Sequence, residues 1–410
     1  MYHIFEKFGI ELEYMIVNRD TLRVLPITDK VIEKACGSVC NEIKRGEISW
    51  SNELVLHVIE LKTSEPVQSL FGIADQFHNN ILQIQSILGD FGGCLLPGPM
   101  HPFMDPHSEM KLWPHDYNPI YESFNRIFCC KGHGWANLQS MHINLPFADD
   151  DEFGRLHAAI RLVLPIIPAL SAGSPVADGK ITGFKDTRME VYRSNSLKIP
   201  SITADIIPEP VFSSSEYQKQ ILERIYQDLQ PYDPDKILQE EWVNARGAIA
   251  RFERNTIEIR VIDVQETPFA DIAIAAAVIG VIRMITDERF CTLKEQKAWQ
   301  AAPLKDIFLK TIKYGEEALI DDSAYLTVMG MHEKCTAQEL WKHLIRELHH
   351  YDHQWIAPFI SVLDMLLNTG TLSSRILRAL GAEPDNNLIQ KIYRALGDNL
   401  TSGSIFKGYI

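Results

Sequence analysis

Acidic and imidazole side chains carried on short, apolar-backed segments are the groups in this chain with chemistry to offer. The first such segment is Gly9-Ile10-Glu11-Leu12-Glu13-Tyr14. Alternate side chains share a face on a β-strand, so Glu11 and Glu13 project together while Ile10, Leu12 and Tyr14 take the other side. Two adjacent carboxylates repel unless a cation or an arginine lies between them, and magnesium is the usual hard ion for oxygen donors. Alone, this pair reads as a solvated strand face. Three further segments shift that reading. In Glu53 to Lys62, Glu60 shares a face with Leu54, Leu56, Val58 and Lys62. Glu53 falls on the other parity, so it joins Glu60 only across a bulge or from a place just before the strand. Ser140, His142 and Asn144 alternate with Met141, Ile143 and Leu145, and Glu258 and Arg260 project together between isoleucines and a valine.

A surface of that composition suits several magnesium ions beside a nucleoside triphosphate. The metals neutralise phosphate charge, and an arginine stabilises the charge on a transferring γ-phosphoryl group. No Walker-A loop and no Gly-x-Gly-x-x-Gly after a strand occurs, so a nucleotide has to be held through metals and side chains on a sheet.

These residues need a sheet to position them. Strands are expected at Gly9 to Val17, Glu53 to Thr63 and Gln139 to Phe147, with a hairpin over Ala248 to Val264 turning near Arg254-Asn255. Helices are expected at Thr28 to Lys44, Val67 to Leu88, Leu156 to Leu170, Tyr217 to Leu229 and Phe269 to Thr286. The apolar run within the last, Ile272 to Ile285, is interrupted by Arg283 and falls short of the ~20 residues a bilayer span needs, so it reads as a buried helix. Pro97 to Pro119 and Ser171 to Tyr192 read as long loops, the length at which loops tend to be functional. From Thr292 the pattern is helical, with a capping box at Thr336 and Glu339 and glycine stops at Gly370 and Gly381. Hairpin-like pairs and charged strand faces favour an α+β fold, mainly an antiparallel sheet with helices on its outer face and a helical C-terminal region. The expected division is a core over 1–290 and helices packed on it over 291–410.

Composition narrows the function classes. The chain has 410 residues, a formal net charge of -14 and no lysine- or arginine-rich block, so no nucleic-acid footprint is present. No charged segment followed by an apolar stretch precedes Gly9, so no secretory signal is expected. The seven cysteines lack zinc spacing and fit reduced thiols of a cytoplasmic protein that works away from membranes. His349, His350 and His353 read as a solvated helix face. His101, His107 and His115 stand as loop residues near substrate, and Trp135 and Trp242 as packing.

Taken together, Gly-x-Glu-x-Glu, the Glu53 to Glu60 spacing, Ser-Met-His-Ile-Asn and Thr-Ile-Glu-Ile-Arg-Val-Ile-Asp resemble the glutamate–cysteine ligase superfamily, which includes other carboxylate–amine ligases. Leu96-Pro97-Gly98 through His101-Pro102, and Ser171-Ala172-Gly173-Ser174-Pro175 through Arg188, add to the likeness, which runs in order from Gly9 to about Asp263. The resemblance implies a glutamine-synthetase-like fold and ATP-dependent amide formation through an acyl phosphate, with glutamate and cysteine as leading substrates. It also implies that Glu11, Glu13, Glu53, Glu60, His142 and Glu258 bind magnesium, with manganese as an alternative ion. Arg260 would contact the transferring phosphate, and Arg188 the substrate carboxylate or γ-phosphate. Arg193 and Asn144 would line the nucleotide site. The implied partners are small molecules (ATP, an amino-acid carboxylate and an amine), with a homodimer as a compatible assembly. The chain departs from the usual pattern at Val176 to Asp178 and at Lys185 to Thr187, which bears on substrate identity. Other classes to weigh are phosphotransfer to a guanidino group and a binding protein on an inactive ligase scaffold.

Overall fold

The computed structural model describes residues 1–409. Its strands are β1 (Gly9–Asn18), β2 (Glu42–Arg45), β3 (Ile48–Asn52), β4 (Val58–Thr63), β5 (Gly93–Leu96), β6 (Ser140–Pro146), β7 (Val176–Ala177), β8 (Lys180–Ile181), β9 (Ala248–Arg251), β10 (Thr256–Asp263), β11 (Leu319–Ile320) and β12 (Cys335–Thr336). Eight of them form one sheet in the order β2-β3-β4-β1-β6-β10-β9, with β5 also paired to β1. Each pairing in it is antiparallel, as the charged faces and hairpin signals predict.

The back of the sheet makes the core. Ile10, Leu12, Tyr14 and Ile16 of β1 are fully buried, as are Ile143 and Leu145 of β6 and Ile257 and Ile259 of β10. The helix Pro268–Thr286 lies in this core against the helices Ile73–Gly89, Asp150–Val163, Ala337–Tyr351 and Ile360–Thr369. By length and composition it matches a membrane span, but 89% of its most apolar window is buried inside the protein. Its Ala- and Ile-rich sequence is apolar all round, as suits a helix buried on all its faces.

The front face of the sheet is divided. One part is charged and holds the candidate site. Farther along β1, Met15 and Val17 join Val58 and Leu96 in a smaller core closed by the helices Leu372–Leu380 and Asn386–Ser402. The C-terminal helices therefore cover both the back layer and one end of the front.

Several boundaries differ from expectation for local reasons. The first helix stops at Cys36, where Gly37 takes a φ of 86° that is easy only for glycine. Beyond that glycine the chain forms β2 and β3 instead of continuing as helix. The strand expected over Glu53 to Thr63 begins only at Val58, and Glu53 sits on the link after β3. That removes the parity conflict, since Glu53 continues the Ser49 and Ser51 face and Ser51 lies opposite Glu60. The helix expected from Val67 starts at Ile73, after a left-handed Gly72. Within the first long loop, His101 is buried with its Nε2 on the Leu22 carbonyl at 2.7 Å, and His115 meets Asp29; neither lines the site. The capping box and the stops at Gly370 and Gly381 are all present.

Candidate active site

Four strands bring the predicted acids together because their registers align. Glu11 lies opposite His142 and Glu13 opposite Glu60, while Glu258 lies opposite Asn144. Directly opposed residues of an antiparallel pair share a face at close range, so the period-two patterns of separate segments become one surface. Gly9 has a part in this. It faces Asn144, and an added Cβ would come to 3.0 Å from the Asn144 Cβ, so the glycine permits β6 to approach.

The surface forms one wall of a cavity of about 460 Å³ lined by Glu11, Glu13, Glu53, Glu60, His142 and Glu258, with Arg260, Arg251, Arg254 and Lys62 among the cations. Glu11, His142 and Glu258 each offer a ligand atom within 4.8 Å of the others, a spacing that a metal ion can occupy. His142 donates from Nδ1 to Glu11 Oε2 at 2.9 Å and from Nε2 to Ser140 Oγ at 2.9 Å. Ser140 in turn donates its hydroxyl, at 3.0 Å, and its backbone N–H, at 2.7 Å, to Glu13 Oε2. Asn144 Nδ2 holds Glu11 Oε1 at 3.0 Å, so it orients a carboxylate rather than lining the cavity.

Charge sets the protonation of these groups. Burial would lower the His142 pKa, but the hydrogen bond to Glu11 and the charges of Glu13, Glu11 and Glu258 raise it instead. Burial and the neighbouring Glu60 and Glu13 hold the Glu53 carboxyl well above its ordinary range. Burial also raises Glu13, although His142 and Ser140 oppose it. Glu258 goes the other way: against burial, Arg260, His142 and Arg251 draw it down. Arg260 Nε lies 3.1 Å from Glu258 Oε1 without hydrogen-bond alignment, and Arg251 Nη1 is 3.5 Å from Oε2. Lys62 bridges Glu60 at 3.1 Å and Glu42 at 2.9 Å. With no cation added, carboxylates remain in excess and two, Glu53 and Glu13, are pushed toward their neutral forms, a crowding that a hard cation among them would relieve.

Two predicted residues lie elsewhere. Arg188 is 2% exposed, and its Nε is bound to Asp263 while its Nη atoms approach the Arg260 carbonyl at 3.4 and 3.5 Å. It lies behind Arg260 rather than in the cavity. Arg193 is on the surface, paired with Glu190 three residues away. The sequence pattern did not reveal Arg251, Arg254 or an aromatic wall made by Tyr117, Tyr121, Phe124 and Trp242. The helix Asn118–Phe128 carries much of that wall, and Trp242 packs on Phe124 at 5.8 Å between ring centroids. Helical spacing of aromatics looks like core packing in a sequence, which is why this wall went unread.

An uncharacterized protein of Archaeoglobus fulgidus is 37% identical over 280 residues, covering 68% of this chain and 75% of that one. A putative glutamate–cysteine ligase 2-1 of Rubrobacter xylanophilus is 23% identical over 192 residues, covering 45% of this chain and 46% of the relative. The match therefore spans about half the length of that named relative. Among solved structures, a glutamate–cysteine ligase of Francisella tularensis in complex with AMP superposes with a TM-score of 0.61 at 12% identity, covering 96% of this chain and 89% of that one. A bifunctional glutathione synthetase of Pasteurella multocida gives 0.57 at 14% identity, over 96% and 53% of the two chains. These likenesses show a shared fold. With the model of glutamate-cysteine ligase family 2 matching residues 7–395, almost its whole length, the chain belongs to that family of ligases.

Proposed function

We propose that this protein is an ATP- and magnesium-dependent carboxylate–amine ligase forming a γ-glutamyl-type amide, with glutamate and cysteine as the first substrates to test. One observation carries the reading: Glu11, Glu13, Glu53, Glu60, Glu258 and His142 converge on one cavity wall with Arg260 and Arg251 beside them. Glu11, His142 and Glu258 form one candidate metal-holding group, and Glu13, Glu53 and Glu60 crowd beside it. Bound magnesium would neutralise the triphosphate and favour charge on its γ-phosphoryl group. The remaining work falls to the chain itself. Arg260, held by Glu258 and by its bond to the Asn244 carbonyl at 3.3 Å, would stabilise the phosphoryl group in transfer. Arg251 and Lys62 supply further positive charge at the same wall. A substrate carboxylate oxygen bonds to the γ-phosphorus as the bond to ADP breaks. The amine nitrogen then bonds to the acyl carbon, phosphate leaves and the amine gives up a proton.

A second reading within the same class has its own support. Tyr117, Tyr121, Phe124 and Trp242 give the cavity an aromatic side, which favours an amine bulkier than cysteine. ADP release measured with ATP, magnesium and glutamate, and with single amines added in turn, separates the two. Cysteine-dependent turnover supports the first, turnover only with larger amines supports the second, and no ADP with any amine sinks both. Glu258→Gln should lower turnover by about 10²-fold or more and abolish thermal stabilisation by ATP with magnesium. An unchanged response to ATP with magnesium in that variant would put the site elsewhere.

A further inference from the structure

A second cavity, of about 570 Å³, lies between the C-terminal helix Asn386–Ser402, β5 and the turn that follows β1. It is separate from the acidic wall, and the proposed ligase chemistry leaves it without a role. Its floor is apolar on the face of β5 that carries Leu96, made by Leu22 and Leu96, while Leu95 turns its side chain to the back core and offers only its backbone. Its walls carry Arg19, Arg394 and Asp398.

These charges do not satisfy one another. Arg394 and Asp398 stand four residues apart on one helix, a spacing at which oppositely charged side chains commonly pair. Instead, Arg394 donates to the backbone carbonyl of Arg19 at 2.7 Å and to that of Asp20. Arg19 reaches only the Gly93 carbonyl, at 3.4 Å. Among the described residues, neither arginine meets a carboxylate and Asp398 meets no cation. Cys94, half-buried in the same wall, registers the convergence. Burial pushes its thiol up, while Arg19 and Arg394 draw it down and Asp398 and Asp20 oppose them. Tyr393 also lines the cavity, and its buried hydroxyl has no hydrogen-bond partner.

Two guanidinium groups, one carboxylate and an apolar floor match a zwitterion with a side chain better than they match a bare anion. We propose that this cavity binds a free α-amino acid. Its carboxylate lies between Arg19 and Arg394, its ammonium group meets Asp398, and its side chain rests over Leu22 and Leu96. The site lies where β1, the strand that carries Glu11 and Glu13, runs out into the turn at Arg19. It does not depend on the chemistry proposed for the acidic cavity.

Cys94 provides a reporter confined to this cavity. The full chain is alkylated with iodoacetamide in the presence of L-methionine, L-glutamate or inorganic phosphate, and the Cys94 and Cys129 peptides are quantified by mass spectrometry. At least one of the two amino acids should slow alkylation of Cys94 severalfold and leave the exposed Cys129 unchanged. Arg19→Gln and Asp398→Asn should each remove most of that protection. Gly397→Met should remove the ligand's effect by filling the space, since a Cβ there would meet only the Leu95 carbonyl, at 3.9 Å. Protection by phosphate alone would make this a simple anion site and overturn the proposal. So would no protection by either amino acid, or protection that survives in all three variants.

Discussion

Glu53 holds an unusual place among the acids of the cavity. It sits on the link after β3, not on a strand, and its carboxyl is the one raised furthest by burial and by its acidic neighbours Glu60 and Glu13. Like charges this close cost stability until a cation separates them. Replacing Glu53 by glutamine removes the repulsion and keeps the shape. We therefore expect Glu53→Gln to stabilise the metal-free protein by about 1 kcal/mol and to weaken or abolish the rise in melting temperature on adding magnesium. Calorimetry in chelator and in magnesium checks both. A variant that is destabilised in chelator would show that Glu53 is held by contacts rather than strained by charge. His142 and Asn144 sit differently: each is tied to Glu11, and His142 is tied through Ser140 to Glu13. These ties hold the acids in place without a metal, so the site is preformed by hydrogen bonds within the wall.

At the scale of elements, β10 shows why some of the site was unreadable. Its register against β6 shifts between Ile259 and Ile262, so one extra residue enters the strand and the alternation of faces slips by one. Asp263 thereby lies opposite Ser140 and shares a face with Glu258 and Arg260, although strict alternation would put it on the other side. Asp263 then accepts from the Gly173 N–H at 2.8 Å and the Ser174 hydroxyl at 3.1 Å, and binds Arg188. One carboxylate thus ties the loop after Ser171 and the helix Thr187–Tyr192 to the sheet. Removing one partner of a buried ion pair leaves the other charge unpaired. Arg188→Ala should therefore cost about 3–5 kcal/mol in urea unfolding, whereas Arg193→Ala, which breaks only an exposed pair, should cost less than about 1 kcal/mol. A small loss for Arg188→Ala would return Arg188 to the role expected from sequence, a contact to substrate.

Across the whole molecule, the front of the sheet is shared by two environments, and the two helices that end the fold close the apolar one. The back layer buries titratable groups as well. His157 stacks on Phe153 at 5.3 Å and holds the Val211 carbonyl at 2.8 Å from Nδ1. Burial, with Arg161 nearby, pushes it down to about 3 from 6.5. Between those values the unfolded imidazole takes up a proton that the folded one refuses. Its contribution to stability is therefore full above pH 6.5 and is lost as pH falls through the window. Unfolding free energy measured against pH should drop with acidification. His157→Gln should remove up to about 1.4 kcal/mol per pH unit of that slope. An unchanged slope would mean that another group carries the acid sensitivity.

What could be read from the sequence was whatever a single segment settles by itself. Period-two alternation put Glu11 with Glu13 and Glu258 with Arg260, and it placed Ile10, Leu12 and Tyr14 in the core. Caps and glycine stops marked the C-terminal helices, and an apolar run marked the central helix. These features depend on neighbours within a few residues, so local physics decides them. The break at Gly37 that yields β2 and β3, the bulge in β10 and the aromatic wall under Trp242 depend on which segments meet. Arg188 shows the difference most plainly: its place behind Arg260 follows from Asp263, a residue 75 positions away. The twin glutamates of β1 were visible at once, but strand register alone made them one side of a cavity.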